Sequence, residues 1–174
     1  MNKDQSKDIS ITNDPPPGSP WPESNASNIV FLLDARDSYE RKLLRDWVEK
    51  TRAPGESRAP KFMALPQNAD ARDFARVEQV DGSSWLQPLR TVWLPPESSE
   101  SGGLFRDVFF ARTVEPNIFR RKRIAKHAPE RMRFVSGQGA TLADLRERYE
   151  DVRGDAGEAL GLADFIRRQA LITL

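Results

Sequence analysis

The chain has 174 residues, 38% hydrophobic and 30% charged, with a formal net charge of +1. That length bounds one domain with a tail, and the near-zero charge excludes a global electrostatic preference for nucleic acid or membrane. There is no Cys, which excludes disulfides and Cys-based zinc sites, and no apolar run approaches the roughly 18–20 residues that span a bilayer.

Residues 1–28 hold five of the thirteen prolines, with many Ser, Asn and Asp and little to bury. They read as a disordered tail without the apolar core of a secretory signal. Ile29-Val30-Phe31-Leu32-Leu33 is a continuous apolar run with a β-branched start, the pattern of a buried strand. Asp37 with Glu40 three residues on forms a capping box. It predicts a helix to about Lys50, with Tyr39, Leu43, Leu44 and Trp47 at helical spacing. A strand feeding an amphipathic helix is how an α/β layer begins.

Residues 51–67 read as a loop punctuated by Pro54, Gly55, Pro60 and Pro66. A helix through Phe74 and Val77 is expected over 69–80, and Asp81-Gly82-Ser83-Ser84 is a turn signal. Leu89 to Leu94 reads as a strand stopped by Pro95 and Pro96, which cannot donate to a ladder. Residues 97–103 read as a polar loop. Asp107 to Thr113 reads as a further strand, antiparallel to the one before. A helix over 117–127 has Asn117 as its cap and Pro129 as its stop, but Ile118, Phe119 and Ile124 make a poor apolar stripe. Met132 to Ser136 reads as a short strand. Thr141 with Asp144 is a second capping box, opening a helix through Leu142, Leu145 and Tyr149. Gly154 and Gly157 break that helix. A last helix, Glu158 to Leu174, presents Leu162, Phe165, Ile166 and Ala170 on one face.

Charge is unevenly spread. Residues 120–133 hold Arg120, Arg121, Lys122, Arg123, Lys126, Arg131 and Arg133 against one Glu, a local +6 that leaves the rest acidic. This cluster is the candidate contact site. It reads as a solvated helix face, as a surface for anionic lipid headgroups, where each basic residue adds about 1 kcal/mol, or as a contact for an acidic partner domain. Nucleic acid is the weakest of the readings, since the cluster lacks interleaved aromatics and a reading motif.

Three other groups have ordinary explanations. His127 is the only histidine, and Lys126 and Arg131 beside it offer no partner for base catalysis. Ser136-Gly137-Gln138-Gly139-Ala140-Thr141 sits between a strand and a helix, a context that suits phosphate. However, Leu142 stands where a dinucleotide fingerprint needs Gly or Ala. Asp144, Glu147, Glu150, Asp151 and Asp155 lack the ligand spacing of an EF-hand loop and read as caps and ion pairs with Arg146, Arg148 and Arg153. No catalytic residue, cofactor or metal ligand is assigned.

Several segments together resemble the amino-terminal region of the bacterial membrane-bound glycerol-3-phosphate acyltransferases, most of all their actinobacterial branch. Ile29 to Ala35, with a charged helix ending Arg45-Asp46-Trp47, looks like the family's first strand and helix. Pro88-Leu89-Arg90-Thr91-Val92-Trp93-Leu94-Pro95 looks like its PVRVxWLP segment. Arg123-Ile124, Pro129-Glu130-Arg131 and Val135-Ser136-Gly137 resemble the basic helix and strand that follow. Thr141 to Tyr149 and Asp164 to Ala170 resemble the helices leading to the catalytic domain. The resemblance covers about residues 29–174.

The resemblance implies an enzyme that moves a fatty acyl group from an acyl thioester to the sn-1 hydroxyl of glycerol 3-phosphate, the first step of phospholipid synthesis. It implies a peripheral location at the cytoplasmic face of the cell membrane. The family's catalytic His-x4-Asp motif falls beyond the matched region, and five residues after His127 stands Met132, not Asp. The expectation is therefore an α/β fold, a small mixed sheet with flanking helices after a disordered tail. Residues 29–174 would be the amino-terminal non-catalytic domain, and its partner would be a catalytic acyltransferase domain. The alternative is a free-standing regulatory, membrane-binding or partner-binding module.

Overall fold

The computed structural model describes residues 18–65, 72–95, 116–156 and 161–174. Five strands and flanking helices form a mixed α/β sheet. β1 (Ile29–Asp34) leads into α1 (Ser38–Lys50), then β2 (Pro60–Ala64) and a 3-10 helix (Arg72–Gln79). β3 (Trp85–Trp93) follows. After it come α2 (Ile118–His127), β4 (Met132–Ser136), β5 (Ala140–Thr141), α3 (Leu142–Ala156) and α4 (Leu162–Ile172).

The sheet order is β2-β1-β3-β4, with β5 also on β3. β1 lies parallel to both β2 and β3, while β4 and β5 run antiparallel to β3. Every residue of β1 is buried, as its unbroken apolar run requires of a strand covered on both faces. Alternation then divides its side chains. Ile29, Phe31 and Leu33 join Leu44 and Val48 of α1 on one face. Val30 and Leu32 join Phe74, Val77 and the buried sides of α3 and α4 on the other.

The structure corrects several expectations. Residues 18–28, read as part of the tail, pack on the domain. Trp21 is 5% exposed, its Nε1 donates to the Val48 carbonyl at 2.8 Å, and its ring meets Phe31 edge-on at 5.3 Å. The Arg58 guanidinium donates to the carbonyls of Ser24 and Ala26, pinning this stretch. Residues 1–17 lie outside the described residues, as do the loop read over 97–103 and the strand read over Asp107–Thr113.

The loop expected over 51–67 contains β2. Pro60 occupies its first position, where the missing N–H is tolerated, and each residue from Pro60 to Ala64 pairs with Ile29 to Leu33. The helix expected through Phe74 and Val77 is 3-10, for which the three-residue spacing of those two buried side chains is suited.

β3 starts four residues before the expected Leu89 and runs through Pro88. That proline sits where β5 gives way to β4. Its carbonyl accepts from the Gly137 N–H at 2.9 Å. The donor it lacks would face the same side, so the gap falls at the break between β4 and β5 rather than inside a ladder.

α3 runs through Gly154 to Ala156, a Gly within a helix costing only about 1 kcal/mol relative to Ala. Gly157 and the expected start of the last helix at Glu158 lie outside the described residues. Among the described residues, no helix is long and apolar enough to cross a membrane.

Candidate functional site

In open α/β sheets ligands gather outside the carboxyl ends of the strands, where the connections diverge. Here that point lies between β1, whose chain leaves toward β2, and β3, whose chain leaves toward β4. Charged side chains fill it. Arg90 Nε donates to Asp34 Oδ2 across the paired positions of β1 and β3.

Asp37 caps α1, its Oδ1 accepting from Tyr39 and Glu40 N–H at 2.9 and 3.0 Å. Glu40 reaches back as in a capping box, but to the Arg36 N–H at 2.9 Å. Its other oxygen accepts from Trp93 Nε1 at 2.8 Å.

Arg121 enters the same place from α2. Its Nη1 lies 2.7 Å from Glu40 Oε1 and 3.0 Å from Asp37 Oδ2, without lining up a directed hydrogen bond to either. Its Nε donates to the Pro116 carbonyl at 2.8 Å. Arg121 is 8% exposed and Glu40 3%. The carboxylates of Asp37 and Glu40 are thus committed to a helix cap and a guanidinium, which leaves neither as an open general base. Among the described residues no group of three His, Asp or Glu is placed to hold a metal ion.

The predicted basic cluster therefore divides. Arg121 turns inward and is withdrawn from any surface contact, because it stands one turn from buried Ile124 on the anchored side of α2. Lys122, Arg123 and Lys126 are exposed on α2, and Arg133 is exposed on β4. Lys122 Nζ lies 5.6 Å from the centre of the Tyr39 ring. Arg120 is half-buried, and its N–H donates to Asn117 Oδ1 at 3.0 Å, completing the expected cap. Arg131 is half-buried and bonds through Nε and Nη2 to the Leu94 carbonyl, so it ties β4 to the end of β3.

The sequence reading counts Phe119 only as part of a poor apolar stripe, not with the cations. It is 78% exposed on the outer side of α2 with the exposed cations, so the cluster does carry an aromatic. The signal was available: at about 100° per residue Phe119 points away from Ile124, which is why the stripe looked poor. Glu40, Asp34 and Arg90 were also missed as partners, because their pairing needs the sheet register.

The Gly-rich turn is explained by packing. A Cβ on Gly139 would collide with Trp85 Nε1 and come within 2.6 Å of Gln87 Oε1. The N–H groups at the start of α3 are already used: Leu142 donates to Ser84 O, Ala143 to Gly82 O, and Asp144 to Thr141 Oγ1 in the expected capping box. That helix end has no donors left for phosphate. His127 is exposed at the end of α2.

A cavity of about 80 Å³ lies between the sheet, α3 and α4, lined by Leu32, Leu86 and Ile166 with Gln138, Arg148 and Gln169 at its polar side. It is well below the roughly 300–1,000 Å³ of small-molecule sites. No family model matches the chain, and no solved structure matches it.

Proposed function

We propose that the chain is the amino-terminal, non-catalytic domain of a glycerol-3-phosphate 1-O-acyltransferase, held peripherally at the inner face of the cell membrane. What supports this reading is the order of the resembling segments. They fall on successive elements: β1 with α1, β3, α2 through β4, then α3 and α4. In this reading the domain supplies a rigid body and a basic face, while acyl transfer belongs to a catalytic partner domain. The buried ion pairs fit that role, since the Asp37 and Glu40 carboxylates at the start of α1 hold α1 and α2 together rather than stand open in a cleft.

The test is twofold. The native gene product is sized with an antibody against this region, and both it and the purified chain are assayed for acyl transfer to glycerol 3-phosphate. The expected result is a product several times the 19.7 kDa of this sequence that carries the activity, with none above background in the chain alone. A product near 20 kDa without activity would make the chain a free-standing module. Turnover by the chain alone would overturn its non-catalytic assignment.

A further inference from the structure

The two sides of α2 are built for different tasks. Arg121 and Ile124 are buried on one side, and the Arg121 ion pairs fix the helix to the start of α1. The opposite side carries Phe119 with Lys122, Arg123 and Lys126, three, four and seven residues on, all sharing one face. All four are exposed. α2 contains no Asp or Glu to offset the charge. Among the described residues Phe119 is the one large aromatic exposed to this degree.

We infer that this face of α2 seats on an anionic lipid surface. Phe119 enters the boundary between headgroups and acyl chains, while Lys122, Arg123 and Lys126 contact the headgroup phosphates. The inference rests on the peripheral-membrane part of the proposed function and names the face that carries it.

Charge complementarity and the exposed aromatic on the same face select this occupant. Basic residues close to an anionic surface are each drawn to its headgroups, and a phenyl ring gains from leaving water only where the layer beneath the charge is apolar. A single-stranded nucleic acid is held by several aromatics spaced along a groove, whereas α2 offers one ring on a convex helix about 15 Å long. An acidic protein surface would satisfy the cations but leave the ring against polar groups. The anchored inner side matters as well, because a helix already held in place spends no ordering entropy when it binds.

The test is co-sedimentation of the whole chain with phosphatidylcholine vesicles, with and without phosphatidylglycerol, at low and high salt. Three variants accompany it: Phe119→Ala, Phe119→Trp and the pair Lys122→Gln with Lys126→Gln. All three alter exposed side chains, so thermal midpoints should match the wild type.

Wild type is expected on anionic vesicles only, and less so at high salt. The lysine pair should weaken partition about thirtyfold. Phe119→Ala should weaken it about tenfold, and Phe119→Trp should keep it. Wild-type binding that all variants share would overturn the assignment to α2 while leaving a peripheral membrane location intact. Equal recovery on neutral and anionic vesicles would overturn the anionic-lipid assignment of α2 while leaving a membrane location intact, and none on either would overturn both. Salt-dependent binding of single-stranded RNA without vesicle binding would replace lipid with nucleic acid as the occupant.

Discussion

Replacing Arg121 by Met keeps much of the side chain's length and removes only the guanidinium. The Glu40 side chain, 4% exposed, would then lose its cation 2.7 Å away while staying buried. Removing one partner of a buried pair typically costs about 3–5 kcal/mol, because the other charge is stranded. Glu40 would keep its bonds from Trp93 Nε1 and Arg36 N–H, and the Asp37 side chain is better hydrated at 24% exposure. Both facts place the loss near the lower end, about 3 kcal/mol.

With a urea slope of about 2 kcal/mol/M, the unfolding midpoint should fall by about 1.5 M. Urea titration followed by Trp fluorescence is the assay, and Trp93 reports directly because its indole bonds to Glu40. Adding Glu40→Gln to Arg121→Met removes the stranded charge, so the double variant should recover about 1 kcal/mol or more over Arg121→Met alone. A loss within about 0.5 kcal/mol would make Arg121 an ordinary surface arginine. A double variant no better than the single one would show that no buried charge had been stranded.

Trp21→Ala should cost about 3–5 kcal/mol in the same titration, since the indole is buried and hydrogen-bonded; a change under about 0.5 kcal/mol would return residues 18–28 to the tail. Gly139→Ala should destabilise by about 1–3 kcal/mol, because the new methyl group meets Trp85 and Gln87; an unchanged midpoint would refute the close approach. Hydrogen bonding from Arg58 holds the Glu56 carboxyl below its ordinary 4.5 against the opposing effect of burial. A depressed carboxyl contributes stability above its unfolded pKa and loses it as pH falls through the lower folded value. The stability difference between wild type and Glu56→Gln should therefore be constant near neutral pH and shrink below about pH 4.5; a difference independent of pH would refute it.

Much of the fold could be read from local signals. The β1 run, the caps at Asp37, Asn117 and Thr141, and the stop at Pro129 each depend on a few neighbouring residues, and each stands where it was expected. What escaped was non-local. β2 is a short edge strand between prolines whose pairing with β1 is parallel, so no hairpin turn announces it. The inner part of β3 was hidden by Pro88, which is tolerated only because β4 and β5 break opposite it. Trp21 stands in a polar stretch and its acceptor is contributed 27 residues later, so no local signal marks it as buried.

The candidate site was legible as a sum of charge but not as a geometry. Arg120 to Arg123 are four consecutive cations, and counting them gives no inward or outward side. Helical phase does: Arg121 shares the side of Ile124, while Phe119 shares the side of Lys122, Arg123 and Lys126. This partition ties the interior to the surface. The crevice that a sheet of this order offers to a ligand is instead occupied by Arg121, and the carboxylates there are used to attach α2. Attachment orients the opposite side outward. A basic helix held only by Ile124 could turn to bury Phe119; with Arg121 fixed between Asp37 and Glu40 it cannot do so without stranding the buried Glu40 carboxylate. Keeping an aromatic ring in water on the side of three cations is thus enforced by the buried ion pairs, and the contacts that fill the crevice at the strand ends are the ones that hold this side of α2 outward.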